Sequence, residues 1–169
     1  KISAMTIQNP NGSILTTFEN KIATLEFGHP ASNSFPADLL NRLTNELNNL
    51  SNNSDVSVIV LKSDGSGAFC AGASFEERFA NVLNAMRTCS KIIVGRIHGK
   101  AVGGGVGIVA ACDYAFATTE SAIKLSELAI GIGPFVIEPA VSRKIGKTAM
   151  TEMSLDTDWK TANWANQKG

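Results

Sequence analysis

The chain has 169 residues, enough for one domain with a well-buried core. Its 15 Lys and Arg balance 15 Asp and Glu, so no net field draws it to nucleic acid, and no apolar run has the length of a membrane span. Three scattered cysteines, Cys70, Cys89 and Cys112, lack any CxxC pairing; they fit core-filling thiols in a reducing, cytoplasmic setting rather than a disulfide framework or a zinc site.

Ser13–Phe18 and Ile22–Phe27 are rich in β-branched and aromatic residues, and Glu19-Asn20-Lys21 divides them, which predicts a hairpin. Pro36 opens a segment whose Leu39, Leu40, Leu43, Leu47 and Leu50 fall at helical spacing on one stripe. Asparagines at 48, 49, 52 and 53 close it, and Val56–Leu61 reads as a buried strand. Ser63–Gly67 is a turn. Phe79–Met86 reads as a helix and Ile92–Ile97 as another strand. Gly105–Cys112 is a small-residue, apolar segment with the character of a buried helix, and Tyr114–Ala117 is a short strand. Val136–Ile145, Met150–Leu155 and Thr161–Lys168 read as helices. This alternation predicts α/β layers around a largely parallel sheet, as one domain over 1–169. Trp159 and Trp164 recur in the last segment at helical spacing, a face that predicts cover by further chain or another subunit.

The run Gly103-Gly104-Gly105 is the most informative feature. Glycines turn sharply and let another group approach their N–H donors. A glycine turn opening a helix gathers unpaired N–H groups and the positive end of the dipole at one point. A second small-residue turn, Cys70-Ala71-Gly72-Ala73, follows the run Val56–Leu61. Two backbone donors from such turns, converging on one oxygen, make an oxyanion hole. Glu127 lies in the otherwise apolar stretch from Leu125 to Ile132, where burial would raise its pKa and suit it to proton transfer near neutral pH.

Four ordered motifs carry a family resemblance. They are Gly67-Ala68-Phe69-Cys70-Ala71-Gly72-Ala73, His98-Gly99-Lys100-Ala101-Val102-Gly103-Gly104-Gly105, Ala111-Cys112-Asp113-Tyr114 and Ser126-Glu127-Leu128-Ala129-Ile130-Gly131. Together they resemble the crotonase superfamily, the enoyl-CoA hydratases and isomerases. Gly103–Gly107 and the run from Gly131 to Ile137 look most like the 3-methylglutaconyl-CoA hydratase type. The resemblance implies a crotonase-like ββα spiral and an acyl-CoA thioester substrate, with no cofactor beyond the coenzyme A of the substrate itself. It implies that the backbone N–H groups of Ala73 and Gly104 hold the thioester oxygen and that Glu127 moves the proton. Ala71, Gly72, Ser74 and Gly103 would flank the substrate there. Ala31 and Ser32, in the loop His29–Asn33, would pass beside the CoA. Pro134 and Phe135, with Ile132 and Ile137, would close the far end of the pocket around a compact acyl chain. A homotrimer, or a dimer of trimers, is the implied assembly.

This chain departs from the family pattern in three places. Gly107 stands where many hydratases of the family carry a second glutamate, so a single carboxylate would either act twice in a hydration or shuttle a proton in an isomerisation. Glu138 is a candidate substitute, although a place in the first turn after Pro134 makes it a dipole partner. The step from Ala73-Ser74 to Phe79 is shorter than the family's pocket-wall segment, and the family's C-terminal helical region is absent; the expectation is that both lie outside this sequence. Two rival readings accompany the resemblance. Gly105-Val106-Gly107-Ile108-Val109-Ala110 satisfies GxGxxA with Glu127 about twenty residues on, a dinucleotide-binding pattern. It fails because five residues, His98 to Val102, separate the strand Ile92–Ile97 from the glycines. The other is a catalytically silent acyl-CoA-binding protein.

Overall fold

The computed structural model describes residues 9–74 and 77–169. Strand β1 (Ser13–Glu19) turns back as β2 (Ile22–Gly28) through Asn20 and Lys21, both at positive φ (48° and 65°). Such a two-residue turn matches the right-handed twist of the flanking strands. Helix α1 (Ala37–Asn52) follows and buries all five leucines of the stripe. Strand β3 (Val58–Ser63), helix α2 (Glu77–Thr88) and strand β4 (Ile92–Ile97) then complete two parallel crossovers beside β2.

Strand β5 (Lys100–Val102) leads into helix α3 (Gly104–Ala111), and β6 (Tyr114–Ala117) joins the edge of the first sheet parallel to β4. The first sheet runs β1-β2-β3-β4-β6. A second, three-stranded sheet has β5 beside β7 (Ala122–Lys124), with β8 (Lys160–Thr161) antiparallel on the far edge. Helices α4 (Glu138–Leu155) and α5 (Ala162–Lys168) complete the chain.

The core follows from period-two alternation on the first sheet. Ala23, Leu25, Phe27, Ile59, Leu61 and Ile93 are fully buried and share one cluster with the α1 leucines. Phe27 anchors the end of this cluster nearest the glycine turns, its ring 4.6 Å from Phe35 and 5.3 Å from Phe69 between centroids.

The hairpin, α1, β3, α2, β4, α3 and β6 stand where periodicity places them. Strands β5, β7 and β8 were not foreseen, because segments of two or three residues carry no period to read. Their presence also changes the ground on which the dinucleotide pattern fails. A strand does lead directly into the glycines, but β5 belongs to the small sheet and not to the parallel sheet of the βαβ crossovers. The two helices expected over Val136–Ile145 and Met150–Leu155 join into α4, broken at Gly146, whose backbone leaves the helical region (φ 78°, ψ 160°). Trp164 packs against the core and its indole N–H donates to Glu152 (3.1 Å), while Trp159 lies beneath the ammonium groups of Lys100 and Lys124.

Leu43 lies at the centre of the α1 stripe with no exposed surface. Leu43→Ala is expected to lower the unfolding free energy by about 2–5 kcal/mol, read from chemical denaturation curves.

Candidate functional site

Backbone pairing sets the site before any side chain does. The segment after the Ser63–Gly67 turn runs alongside β5: the N–H of Cys70 donates to the Lys100 carbonyl (3.2 Å), and the N–H of Val102 donates to the Cys70 carbonyl (3.0 Å). On its other edge the same segment pairs with Phe35, whose N–H donates to Gly72 O (3.0 Å) and whose carbonyl accepts from the N–H of Ser74 (3.0 Å). Ala73, between those two bonds, has its own N–H directed away from Phe35. No acceptor meets it among the described residues.

The second donor comes from the glycine turn. Gly103 takes φ 53° and ψ −115°, a conformation that a side chain would strain. Its N–H donates to Lys124 O (3.0 Å), which ties the turn to β7, and its carbonyl receives the N–H groups of Val106 and Gly107 to start α3. Gly104 is the first residue of that helix, so its N–H has no partner within the helix. The two donor residues touch. A Cβ on Gly104 would lie 2.8 Å from Ala73 Cβ and 3.1 Å from Ala73 N. Only glycine admits this approach without a shift.

Two cavities meet at this pair, sharing Ala73 and Gly104 in their walls. The larger, about 430 Å³, lies between the Ala71–Ser74 segment, the Val102–Gly104 turn and Ser34–Pro36. The smaller, about 20 Å³, is walled by Glu127 with Phe79, Pro134, Val136 and Ile137. Glu127 precedes a single 3-10 turn (Leu128–Ile130) and is 1% exposed. Neither of its carboxylate oxygens has a hydrogen-bond partner among the described residues. Burial raises its pKa above the ordinary carboxylate value, and the nearby backbone N–H groups of Glu127 and Ser126, which do not meet hydrogen-bond geometry with it, lower it by less. A Cβ on Gly103 would come 3.0 Å from Glu127 Oε1, so the carboxylate rests against bare backbone at the same turn that presents Gly104. A buried, unpaired carboxylate beside unpaired N–H donors is costly to fold and marks a candidate site.

The structure thus brings Ala71, Gly72, Ala73, Ser74, Gly103 and Gly104 into one cavity wall, and Glu127 and Pro134 into the adjoining one. Ala31 and Ser32 are exposed on the loop after β2. Ser32 lies next to the site, its carbonyl accepting from the N–H of Ala71 (3.1 Å). Phe135 does not close the pocket as expected: it is 82% exposed, its ring lying over Gly133, and Ile132 also faces outward. Of the four residues expected there, Pro134 and Ile137 line the smaller cavity, and Val136 joins them. Ser126 and His29, which stand in stretches singled out from the sequence without a role of their own, line the larger cavity, and Ser34 joins them with no signal in the sequence. Ser34 flanks Phe35, whose parallel bridge to Ala73 no local pattern announces.

Glu138 is not a second free carboxylate, because it accepts from the Ser142 hydroxyl (2.6 Å) in the first turn of α4. A Cβ on Gly107 would meet Ile137 Cγ2 at 2.5 Å and Phe79 Cζ at 3.4 Å. Glu127 is therefore the one carboxylate on these two cavities among the described residues. Cys70 and Cys112 are buried thiols pushed up to about 12, so neither is a nucleophile near neutral pH. Phe75 and Glu76, within the shortened step to Phe79, lie outside the described residues.

The raised pKa fixes a pH dependence of stability. The folded state holds the Glu127 proton more tightly than the unfolded chain, so its contribution to stability is lost as pH rises through the window above the ordinary carboxylate pKa. Glu127→Gln is expected to match or exceed the parent in thermal stability near pH ~7, with the gap narrowing near pH ~4. Thermal melts of both proteins at the two pH values check this.

Comparison with known proteins bears on the family and the fold. The family model described as enoyl-CoA hydratase/isomerase matches residues 17–169. The chain is 31% identical to YngF of Bacillus subtilis over 138 residues, covering 72% of this chain and 53% of YngF. It is 28% identical to the mitochondrial methylglutaconyl-CoA hydratase of Mus musculus over 116 residues, 60% of this chain and 37% of that one. A crystal structure of an enoyl-CoA hydratase from Mycobacterium smegmatis superposes with a TM-score of 0.86 at 26% identity, over 92% of this chain and 67% of that one. The chain spans about half the length of YngF. It has the crotonase fold and belongs to the enoyl-CoA hydratase/isomerase family.

Proposed function

We propose that this member of the family binds an acyl-CoA thioester at Ala73 and Gly104 and hydrates a 2-enoyl group, with Glu127 moving the proton. The observation that carries the proposal is the pair of unpartnered N–H groups beside a buried carboxylate whose oxygens are also unpartnered. In this reading the thioester oxygen accepts from both N–H groups. The larger cavity leads from that point toward the loop carrying Ala31 and Ser32, and takes the CoA arm. The acyl group turns into the smaller cavity, past Glu127.

Water addition then follows from the charges. Glu127 takes a proton from water as the oxygen bonds to the β-carbon, and the C=C electron pair moves toward the thioester, whose oxygen becomes an enolate oxygen. The two N–H groups, fixed before reaction, stabilise that charge by about 3 kcal/mol each. The protonated Glu127 returns its proton to the α-carbon on the same face, giving syn addition. The pKa raised by burial brings the carboxylic acid nearer to the working pH, which favours both half-steps.

Isomerisation is the second reading, favoured by the apolar walls around a lone carboxylate: one carboxylate carries a proton from one carbon of the acyl chain to another without consuming water. A silent acyl-CoA binder would keep the N–H pair and make no use of Glu127. The relative named for methylglutaconyl-CoA covers only part of this chain and leaves the acyl group open. We further propose a homotrimeric assembly for the whole protein, supported by the apolar side chains left exposed at Leu155 (74%) and Ile130 (65%).

Glu127→Gln keeps the shape of the side chain and removes its exchangeable proton. It is expected to lower turnover of a 2-enoyl-CoA at least ~100-fold while leaving CoA-ester affinity little changed. In heavy-oxygen water, label in the product establishes hydration, and a shifted double bond without label establishes isomerisation. Light scattering of the full-length protein is expected to give the mass of a trimer or of a dimer of trimers; a monomer contradicts the assembly.

A further inference from the structure

We infer, building on the proposed role of the Ala73 N–H as a donor to the thioester, that Asn33 is the positioning residue of that donor. Its side-chain amide pins the loop before α1, and that loop holds Ala73 in place.

The donor segment is supported unequally along its length. At Cys70 it is paired with β5, through Lys100 and Val102. Beyond Cys70 that pairing ends. Among the described residues, the backbone hydrogen bonds of Ala71 to Ser74 all run to the loop before α1. The N–H of Ala71 donates to Ser32 O (3.1 Å), that of Phe35 to Gly72 O (3.0 Å) and that of Ser74 to Phe35 O (3.0 Å). The position of Ser32 and Phe35 therefore decides the position of Ala73.

The loop needs a restraint of its own. Ser32 and Asn33 stand in succession at positive φ (52° and 57°), a conformation that disfavours most side chains and that asparagine tolerates better than others. The Asn33 side chain supplies the restraint. Its Oδ1 accepts from the N–H of His29 (3.0 Å), which closes the loop on itself. Its Nδ2 donates to the carbonyls of Asp64 and Ala68, each at 2.9 Å, on the two sides of the Gly65–Gly67 turn. Both amide hydrogens are thus used, and the residue is 8% exposed. The donor segment itself emerges from that turn. One amide therefore ties the loop to the start of the segment whose far end the loop supports. Asn33 lines neither cavity, so it acts on the site through Ser32 and Phe35. Without the amide, two buried carbonyls lose their donor and the residues at positive φ are free to relax.

Two substitutions in the full-length protein separate the amide from the backbone conformation. Asn33→Asp keeps the size, the tolerance of positive φ and an acceptor for His29, but presents a carboxylate to two carbonyls. Asn33→Gly takes the backbone conformation freely and lacks the amide. Two readings are made on each protein: kcat on a 2-enoyl-CoA, and the infrared carbonyl stretch of bound butyryl-CoA carrying carbon-13 at the thioester carbon. Hydrogen bonds from two N–H groups lower that stretch in the parent. Both variants are expected to lose about 10- to 100-fold in kcat. Both are also expected to lose about half of the parent's shift, because one of the two donors is displaced. Leu43→Ala weakens the core far from the loop and is expected to keep the full shift, since the signal comes from ester bound to folded protein. A full shift in both Asn33 variants, parental kcat in Asn33→Gly, or an equal loss of shift in Leu43→Ala would overturn the inference and leave the thioester site standing. Absence of any shift in the parent would instead remove the reading beneath it.

Discussion

The pairing of the Cys70–Ser74 segment between β5 and Phe35 is the constraint on which the site depends. Each bond in that pairing uses a group on either side of Ala73 and leaves the Ala73 N–H over. The same pairing brings Gly104, at the head of α3, against Ala73 at a distance that only a missing Cβ allows. Unpaired donors are unfavourable in a folded protein, and so is a carboxylate buried without partners. The sheet, the crossover helices and the core beneath them supply the free energy that holds these groups in a state none of them would adopt alone.

Much of this was legible in the sequence, for reasons that differ by element. Helix α1 announces itself because five leucines repeat at helical spacing, and β2, β3 and β4 because their residues alternate or run apolar between turns. The glycine run and Glu127 stand out because three consecutive glycines and a lone acid in an apolar stretch are both unfavourable unless something uses them. What stayed hidden is non-local. Strands β5, β7 and β8 are too short to show a period, and the parallel bridge from Phe35 to Ala73 joins residues far apart in the chain. Phe135 misleads for a related reason: an aromatic residue near a glycine turn reads as pocket lining, whereas its ring packs over Gly133 and faces outward. Ile137, named with it for the same wall, is the one that lies inward.

Gly107 shows how one missing side chain shapes the packing around the site. Its lack of a Cβ is not an empty space, because Ile137 and Phe79 fill the volume. The contact leaves Glu127 as the one carboxylate at the junction of the two cavities among the described residues. It also gives the smaller cavity a rigid apolar end.

The central claim is that the Ala73 and Gly104 N–H groups hold a thioester oxygen within reach of Glu127. The most direct measurement is a crystal structure of the full-length protein, carrying Glu127→Gln to prevent turnover, with an enoyl-CoA ester bound. The account predicts the thioester oxygen about 2.7–3.2 Å from both backbone nitrogens, with the α- and β-carbons beside the side chain at position 127. An ester bound with that oxygen beyond hydrogen-bond reach of both nitrogens would contradict it.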